Sequence, residues 1–378
     1  MAKALTSRQD EFKAKISLIR GWMKKSDLGG VVLSSQQLFA WATAGGDNHV
    51  VLGNDHGVAN LLITPKDLTV LANNIETPRM RAEEFNGVDL APVEFWACPW
   101  FQDDVIPSEI QRRMGTSRWA SDSGLAGSVP LGHDFLPLTY VLMESEIARY
   151  RTLGKDCSLA MEEALAEVRP GMTEYAVAGL ICQKMWDHSV RPHLALVASD
   201  ERTLQFRHPI PTGKKVKKHL MAVLCGKRSG MIASLTRMLH FAKKLPDDLR
   251  RKHTAACAVD VALNAATRPG VPMCDVFATG VAEYERQGYA DEWKLHHQGG
   301  PTGYQGRSFR GTPTEKRPVL ANQAYAWNPS ITGTKSEDTI IVNDSGFEFL
   351  SSPTKAWPGL NVKLGGKTYR RADINVVG

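Results

Sequence analysis

The stretch RPGMTEYAVAGLICQKMWD at residues 169–187 has a counterpart in RPGVPMCDVFATGVAEYERQG at 268–288. The two Arg-Pro-Gly tripeptides, 169–171 and 268–270, lie 99 residues apart. In both places a segment with helical spacing of apolar residues precedes the tripeptide and another follows it. Pro lacks the amide hydrogen a helix needs, and Gly accepts backbone angles other residues resist, so each tripeptide reads as a helix break. Upstream of the first, ESEIARYRTLGKDCSLAMEEALAEV (144–168) reads as one long amphipathic helix. Thr173 is placed to cap the next helix, with Glu174 in its first turn. A β-like stretch follows each second helix, HLALVASD (193–200) and KLHHQGG (294–300). The pattern predicts two helix–turn–helix–strand halves, packed as one α+β domain with an internal pseudo-two-fold duplication. Ligand sites favour concave junctions of this kind.

Outward from the repeat, the chain alternates differently. RQDEFKAKISLIRGWMKKSDL places Phe12, Ile16, Ile19 and Trp22 at helical spacing. GVVLSS, VANLLITP and LTVLAN are short β-like runs bounded by turn residues, and FAWATAGGDNHVVLG (39–53) is a glycine-rich segment between strands. Residues 1–138 therefore read as an α/β domain, and VPLGHDFLPLTY (129–140) as a Pro/Gly-rich linker. Residues 139–378 form the second domain. A chain of 378 residues with 43% apolar composition is long enough for two cores.

The formal charge of +6 is mild. The lysine clusters GKKVKK (213–218) and AKKLPDDLRRKH (242–253) read as solvated faces, since nucleic-acid binding asks for a denser stripe with interleaved aromatics. Six scattered cysteines with no CxxC pair read as reduced core thiols. The start, MAKALTSRQDEFKAK, is polar and helical and lacks a signal-peptide apolar core, and no apolar run approaches the ~18 residues of a membrane span. The expectation is a cytoplasmic protein with neither nucleic-acid nor membrane partners.

Three stretches bring polar groups to apolar strands. In LQFRHPIPTG (204–213), Pro209 and Pro211 hold the chain extended after His208. HLMAVLCGKRSGMIASLTRMLHF (219–241) reads as two strands joined by a glycine-containing hairpin, carrying Ser234. QAYAWNPSITGTKSEDTIIV (323–342) places Asn328, Glu337 and Asp338 beside the apolar run TIIV. Cys225 inside AVLCG reads as a core thiol, Arg237 as a structural ion-pair partner, and His296 as packing or orientation.

PGMTE after a long helix, His208 before a loop and strand pair, SLTR, HHQGG and SEDTIIV occur in an order that resembles the pita-bread family of creatinase, methionine aminopeptidase and Xaa-Pro peptidases. The resemblance covers nearly the whole chain. It implies a creatinase-type N-terminal domain and a pita-bread catalytic domain. Metallopeptidases of the family hold two divalent ions with two aspartates, one histidine and two glutamates. The positions matching the aspartates are Val223 and Ser234, the histidine matches His297, and the glutamates match Asn328 and Glu337. Three of the five ligands are thus absent. Two hard cations in one site need carboxylates to offset their repulsion, which Val, Ser and Asn do not supply.

The resemblance to creatinase, which works without metal, implies His208 as the proton-transfer residue, suited near pH 7 by its imidazole. It further implies Glu337 and His297 as catalytic partners, and Tyr304, Arg307, Ser234 and Asn328 as substrate-binding groups. The reading is a metal-independent hydrolase with no cofactor, cleaving a C–N bond in a small amino-acid-like or dipeptide-like substrate. The alternatives are a metal-dependent Xaa-Pro aminopeptidase or dipeptidase, and a non-catalytic pita-bread binding or scaffold protein. The resemblance also implies a homodimer in which WATAGGDNH (41–49) approaches the partner's site.

Overall fold

Both Arg-Pro-Gly tripeptides form the same turn in the computed structural model, which describes residues 7–378. Gly171 and Gly270 take φ of +94° and +84°, a conformation costly for a residue with a Cβ. Gly171 N–H donates to Val216 O at 2.8 Å, and Gly270 N–H to Val319 O at 2.9 Å. Three residues on, Glu174 N–H donates to Lys214 O, and Met273 N–H to Arg317 O. The repeat legible in the sequence is therefore repeated in hydrogen bonding, from the turn and helix start to a facing loop with one isolated bridge, in both halves.

Contacts divide the chain into two units. The first runs to Thr139 and takes in Met143–Ser145 and Ser229–Met231; the second holds Tyr140–Leu142, Glu146–Arg228 and Ile232–Gly378. The first unit contains α1 (Arg8–Lys25), β1 (Gly30–Ser35), α2 (Gln36–Ala42), β2 (His56–Ile63), β3 (Leu68–Asn73), α3 (Thr77–Arg79), β4 (Val93–Cys98), α4 (Val105–Met114), β5 (Trp119–Ser121) and β6 (Val129–Pro130). Its six strands form one mixed sheet in the order β4-β3-β2-β1-β5-β6. The Ser7 hydroxyl caps α1, and the four apolar residues at helical spacing, Phe12, Ile16, Ile19 and Trp22, are all buried. Residues 1–6 of the polar N-terminal segment lie outside the described residues. The segment 129–140 corrects the linker reading: Val129–Pro130 is an edge strand parallel to β5. Its proline is tolerated because an edge position need not donate to the ladder.

The second unit contains α5 (Glu144–Glu167), α6 (Glu174–Asp187), β7 (Arg191–Ser199), α7 (Arg202–Gln205), β8 (His219–Arg228), β9 (Met231–Phe241), α8 (Asp247–Ala266), α9 (Met273–Arg286), β10 (Gly299–Thr302), β11 (Ala324–Trp327), β12 (Ser330–Ile331), β13 (Thr334–Lys335), β14 (Asp338–Asn343), β15 (Gly346–Phe349), β16 (Gly359–Leu364), β17 (Lys367–Ala372) and β18 (Asn375–Val377). Thr173 caps α6 by accepting from Ala176 N–H. Two four-stranded sheets, β18-β9-β8-β7 and β10-β11-β14-β15, belong to the two halves. Against the second sheet, Val259 and Leu263 of α8 and Met273 and Val276 of α9 join Tyr325, Trp327, Ile340 and Val342 in one buried cluster. Each such aliphatic side chain contributes roughly 1.5–3 kcal/mol on burial. No helix among the described residues is long and apolar enough to cross a membrane.

Residues 294–300 depart from the expected strand. A 3₁₀ turn covers Glu292–Leu295 and pairing begins only at Gly299. Gly299 has φ +101°, and a Cβ there would sit 2.2 Å from Ala326 O. The irregular approach leaves His296 and His297 off the ladder.

Beneath the site lies a buried ionic framework. Arg237 meets Asp338 at 3.1 Å and Glu162 at 3.4 Å, and donates to Ser351 O at 2.8 Å. Arg371 meets Asp260 at 2.5 Å and Asp338 at 2.8 Å. Arg237 is thus the structural ion-pair partner its sequence context predicts.

Candidate active site

Three histidines from two distant segments come together. Their ring nitrogens include one from each of His208, His296 and His297, all within 4.8 Å of one another. His208 Nε2 and His296 Nε2 are 3.1 Å apart, so one donates to the other. The His297 ring centroid lies 4.5 Å from that of His296 and 5.4 Å from that of His208. His208 is exposed, His296 buried and His297 half-buried.

Local anchors explain the meeting. Arg207, next to His208, donates to Glu292 Oε2 and Thr332 Oγ1, both at 2.8 Å. Pro209 O accepts from Val197 N–H of β7. On the other segment, Gln298 donates to His296 O at 2.6 Å and accepts from the Tyr284 hydroxyl at 2.9 Å. Glu292 therefore ties the loop carrying His208 to the turn that leads into His296.

The Glu337 carboxylate is held by protein cations. Lys335 Nζ lies 2.7 Å from Oε2 and Arg307 Nη2 3.2 Å from Oε1, while Thr236 Oγ1 donates to Oε2 at 2.8 Å. Lys335 is buried, as is Glu337. Burial alone would raise the Glu337 pKa, but Lys335 and Arg307 outweigh it and the carboxyl is held below its usual range. The same two cations act on the histidines. Burial chiefly, then Arg307 and neighbouring histidine and lysine charge, pushes His297 down to about 4. Burial and then Lys335 push His208 down, and they push His296 down much further. Each of these shifts favours the neutral imidazole.

Ser234, on β9, is fully buried. Its hydroxyl lies 3.2 Å from Cys225 Sγ, and its backbone exchanges hydrogen bonds with Thr339 Oγ1. Cys225 is half-buried rather than a full core residue, and burial pushes its thiol up, which disfavours the reactive thiolate. Asn328 is buried beyond β11, with its N–H on Gln298 O. The Tyr304 hydroxyl, expected to contact substrate, is buried and donates to Glu146 Oε1 of α5 at 2.7 Å. Several polar atoms facing this region are buried without a hydrogen-bond partner among the described residues: Asn328 Oδ1, Arg307 Nε, and Nδ1 of both His296 and His297. Such orphans cost stability and call for a ligand or a functional reason.

Lys335 is not among the residues the sequence reads as functional, and His296 reads there as packing or orientation. Lys335 was readable: it stands two positions before Glu337, and residues i and i+2 of extended chain share a face. The His208–His296 contact spans 88 residues and had no local signal.

The residues do not fit a two-ion centre. Val223 lies on β8 without a lone pair, Ser234 and Asn328 are neutral, and the remaining carboxylate, Glu337, already balances Lys335 and Arg307.

Residues 148–344 match the model of metallopeptidase family M24, and the chain belongs to that family. Its fold is the pita-bread fold of M24 prolidases. The Xaa-Pro dipeptidase from Bacillus anthracis superposes with a TM-score of 0.75 at 15% identity, covering 97% of this chain and 100% of that one. The prolidase from Thermococcus sibiricus gives a TM-score of 0.75 at 16% identity, over 91% and 98%. The N-terminal domain of FACT complex subunit SPT16 from Cicer arietinum gives 0.67 at 12% identity, over 92% and 97%. A curated relative, agropine synthesis cyclase of Rhizobium rhizogenes, is 25% identical over 236 residues, 54% of this chain and 58% of that protein. The chain thus spans less than two thirds of that relative's length.

Proposed function

We propose that this M24 chain catalyses acyl transfer at a C–N bond of a small amino-acid-like or dipeptide-like substrate without metal ions. The observation carrying the reading is the Lys335–Glu337–Arg307 cluster. Where the family resemblance puts a metal-binding glutamate, both carboxylate oxygens meet protein cations. Fixed cations stabilise developing negative charge in a water-poor site, as a metal would, without recruiting an ion. His208 is exposed and neutral, as a general base at neutral pH must be. In this scheme His208 removes a proton from the attacking group and returns it to the leaving nitrogen. Arg307 and Lys335 stabilise the oxyanion of the tetrahedral intermediate, and Asn328 Oδ1 accepts from the substrate's N–H. Glu337 keeps both cations in place.

The likeness to a cyclase favours a second reading within the same chemistry. If the attacking group is a hydroxyl or amine of the substrate itself rather than water, the same steps close a ring. The proton balance at His208 is unchanged. We further propose a homodimer, with residues 41–49 approaching the partner's site; size-exclusion chromatography with light scattering tests it.

The function is tested by incubating the protein with a panel of amides, amidines and dipeptides, some carrying internal hydroxyls, and following products by mass spectrometry. Hydrolysis adds water to the substrate mass; ring closure releases the amine without adding it. His208→Ala is expected to lower turnover at least 100-fold with an unchanged circular dichroism spectrum. Full activity in this variant, or no turnover across the panel, contradicts the proposal, and the latter outcome favours a binding protein on a pita-bread scaffold.

A further inference from the structure

We propose that His208, His296 and His297 form a mononuclear transition-metal site, unlike the carboxylate centre of the family, whose occupation inhibits the enzyme. The inhibitory part rests on the role given to His208 above; the binding part does not. Three imidazoles suit Zn²⁺, Co²⁺, Ni²⁺ or Cu²⁺, whereas Mg²⁺ and Mn²⁺ prefer oxygen. A tetrahedral zinc ion with bonds of about 2.0–2.1 Å places its ligand nitrogens about 3.3–3.4 Å apart. The 3.1 Å between His208 Nε2 and His296 Nε2 is already close to this, and the third nitrogen lies within 4.8 Å. Closing the set takes a shift of at most about 1.5 Å, and His208 sits on an exposed loop. The site opens to solvent through His208, which gives an ion a way in. Nδ1 of His297 is buried without a partner among the described residues and is a ring nitrogen open to an ion; Nδ1 of His296 is likewise unpartnered but is not the nitrogen that faces His208.

On binding, each imidazole directs a lone pair to the ion. The single hydrogen now shared between the two facing Nε2 atoms moves to Nδ1 of its own ring, so no proton is lost from the neutral rings. Lys335, Arg307, Arg310 and Arg207 all act on these rings and repel the ion; Lys335 and Arg307 are paired with Glu337 and Arg207 with Glu292, which offsets part of that charge. The fourth position is left to water or a substrate anion. With its lone pair on the metal, His208 no longer accepts a proton, so an ion here stops the reaction rather than driving it.

The test uses the full chain, stripped with chelator and then titrated with Zn²⁺, Co²⁺ and Mn²⁺ by calorimetry, with visible absorption recorded for Co²⁺. One Zn²⁺ or Co²⁺ per chain is expected, with Mn²⁺ bound at least 100-fold more weakly and a tetrahedral Co²⁺ spectrum. His296→Ala and, as a milder change, His296→Asn are each expected to weaken Zn²⁺ at least tenfold, while His188→Ala at the surface leaves it unchanged. On any substrate found by the panel, one equivalent of Zn²⁺ is expected to suppress turnover of the native chain but not of His296→Asn. Absence of binding, binding indifferent to both His296 variants, or Zn²⁺ that activates overturns the inference. Zinc binding without any turnover across the panel removes the inhibitory role and the proposed function while leaving the metal site standing.

Discussion

Two buried ionic clusters lie on either side of the start of β14, fed by adjacent residues. Asp338 points into the framework, where Arg237 and Arg371 face Asp338, Asp260 and Glu162. Glu337 points into the site, where Lys335 and Arg307 face it alone. The framework sets three acids against two bases. The site sets one acid against two bases, with three neutral histidines beside them. Neither count balances, and the surpluses are opposite in sign: one excess acid in the framework and one excess base in the site. An unmatched buried charge is expensive, and in the proposed scheme the cationic surplus of the site is offset when negative charge arrives on a substrate or a transition state.

The comparison breaks most visibly in the framework. Arg371→Met leaves Asp260 and Asp338 facing each other in the interior and is expected to cost about 3–5 kcal/mol, read from urea denaturation. Little change would mean that the framework is not the structural half of the pair. Lys335→Met is the matching change in the site. It is expected to lower turnover by roughly 10²–10³, with a loss of only about 1–2 kcal/mol of stability; a stability loss as large as that of Arg371→Met would erase the distinction.

Acid sharpens a smaller difference. Burial chiefly pushes His219 and His253, both in the second unit, down to about 4, below the ordinary 6.5. A depressed histidine binds its proton more readily in the unfolded chain, so folding stability is full above pH 6.5 and falls as pH drops towards 4. The urea midpoint is expected to decline steadily across that window at fixed ionic strength. A flat profile would show that these rings are not held neutral by the fold.

Much of this architecture was legible in sequence, for a local reason. Helix breaks at Arg-Pro-Gly, the cap at Thr173 and the apolar spacing of Phe12, Ile16, Ile19 and Trp22 depend on neighbours along the chain. The absence of carboxylates at Val223, Ser234 and Asn328 was legible too, because it is a matter of residue identity. What escaped depends on side chains meeting across the fold. Nothing near Tyr304 points to Glu146, and nothing in HHQGG says that His296 faces His208. Lys335 is the intermediate case, since strand alternation places it beside Glu337, but only a three-dimensional view shows Arg307 closing the other side.

The central claim is that protein cations stand where the family keeps metal ions. It is tested most directly by measuring turnover of the active panel substrate before and after exhaustive chelation, with metal content determined on the same samples. The account predicts a rate that is unchanged or higher with less than about 0.1 equivalent of any transition metal remaining. Activity that disappears on chelation and returns with Mn²⁺, Co²⁺ or Zn²⁺ would contradict it.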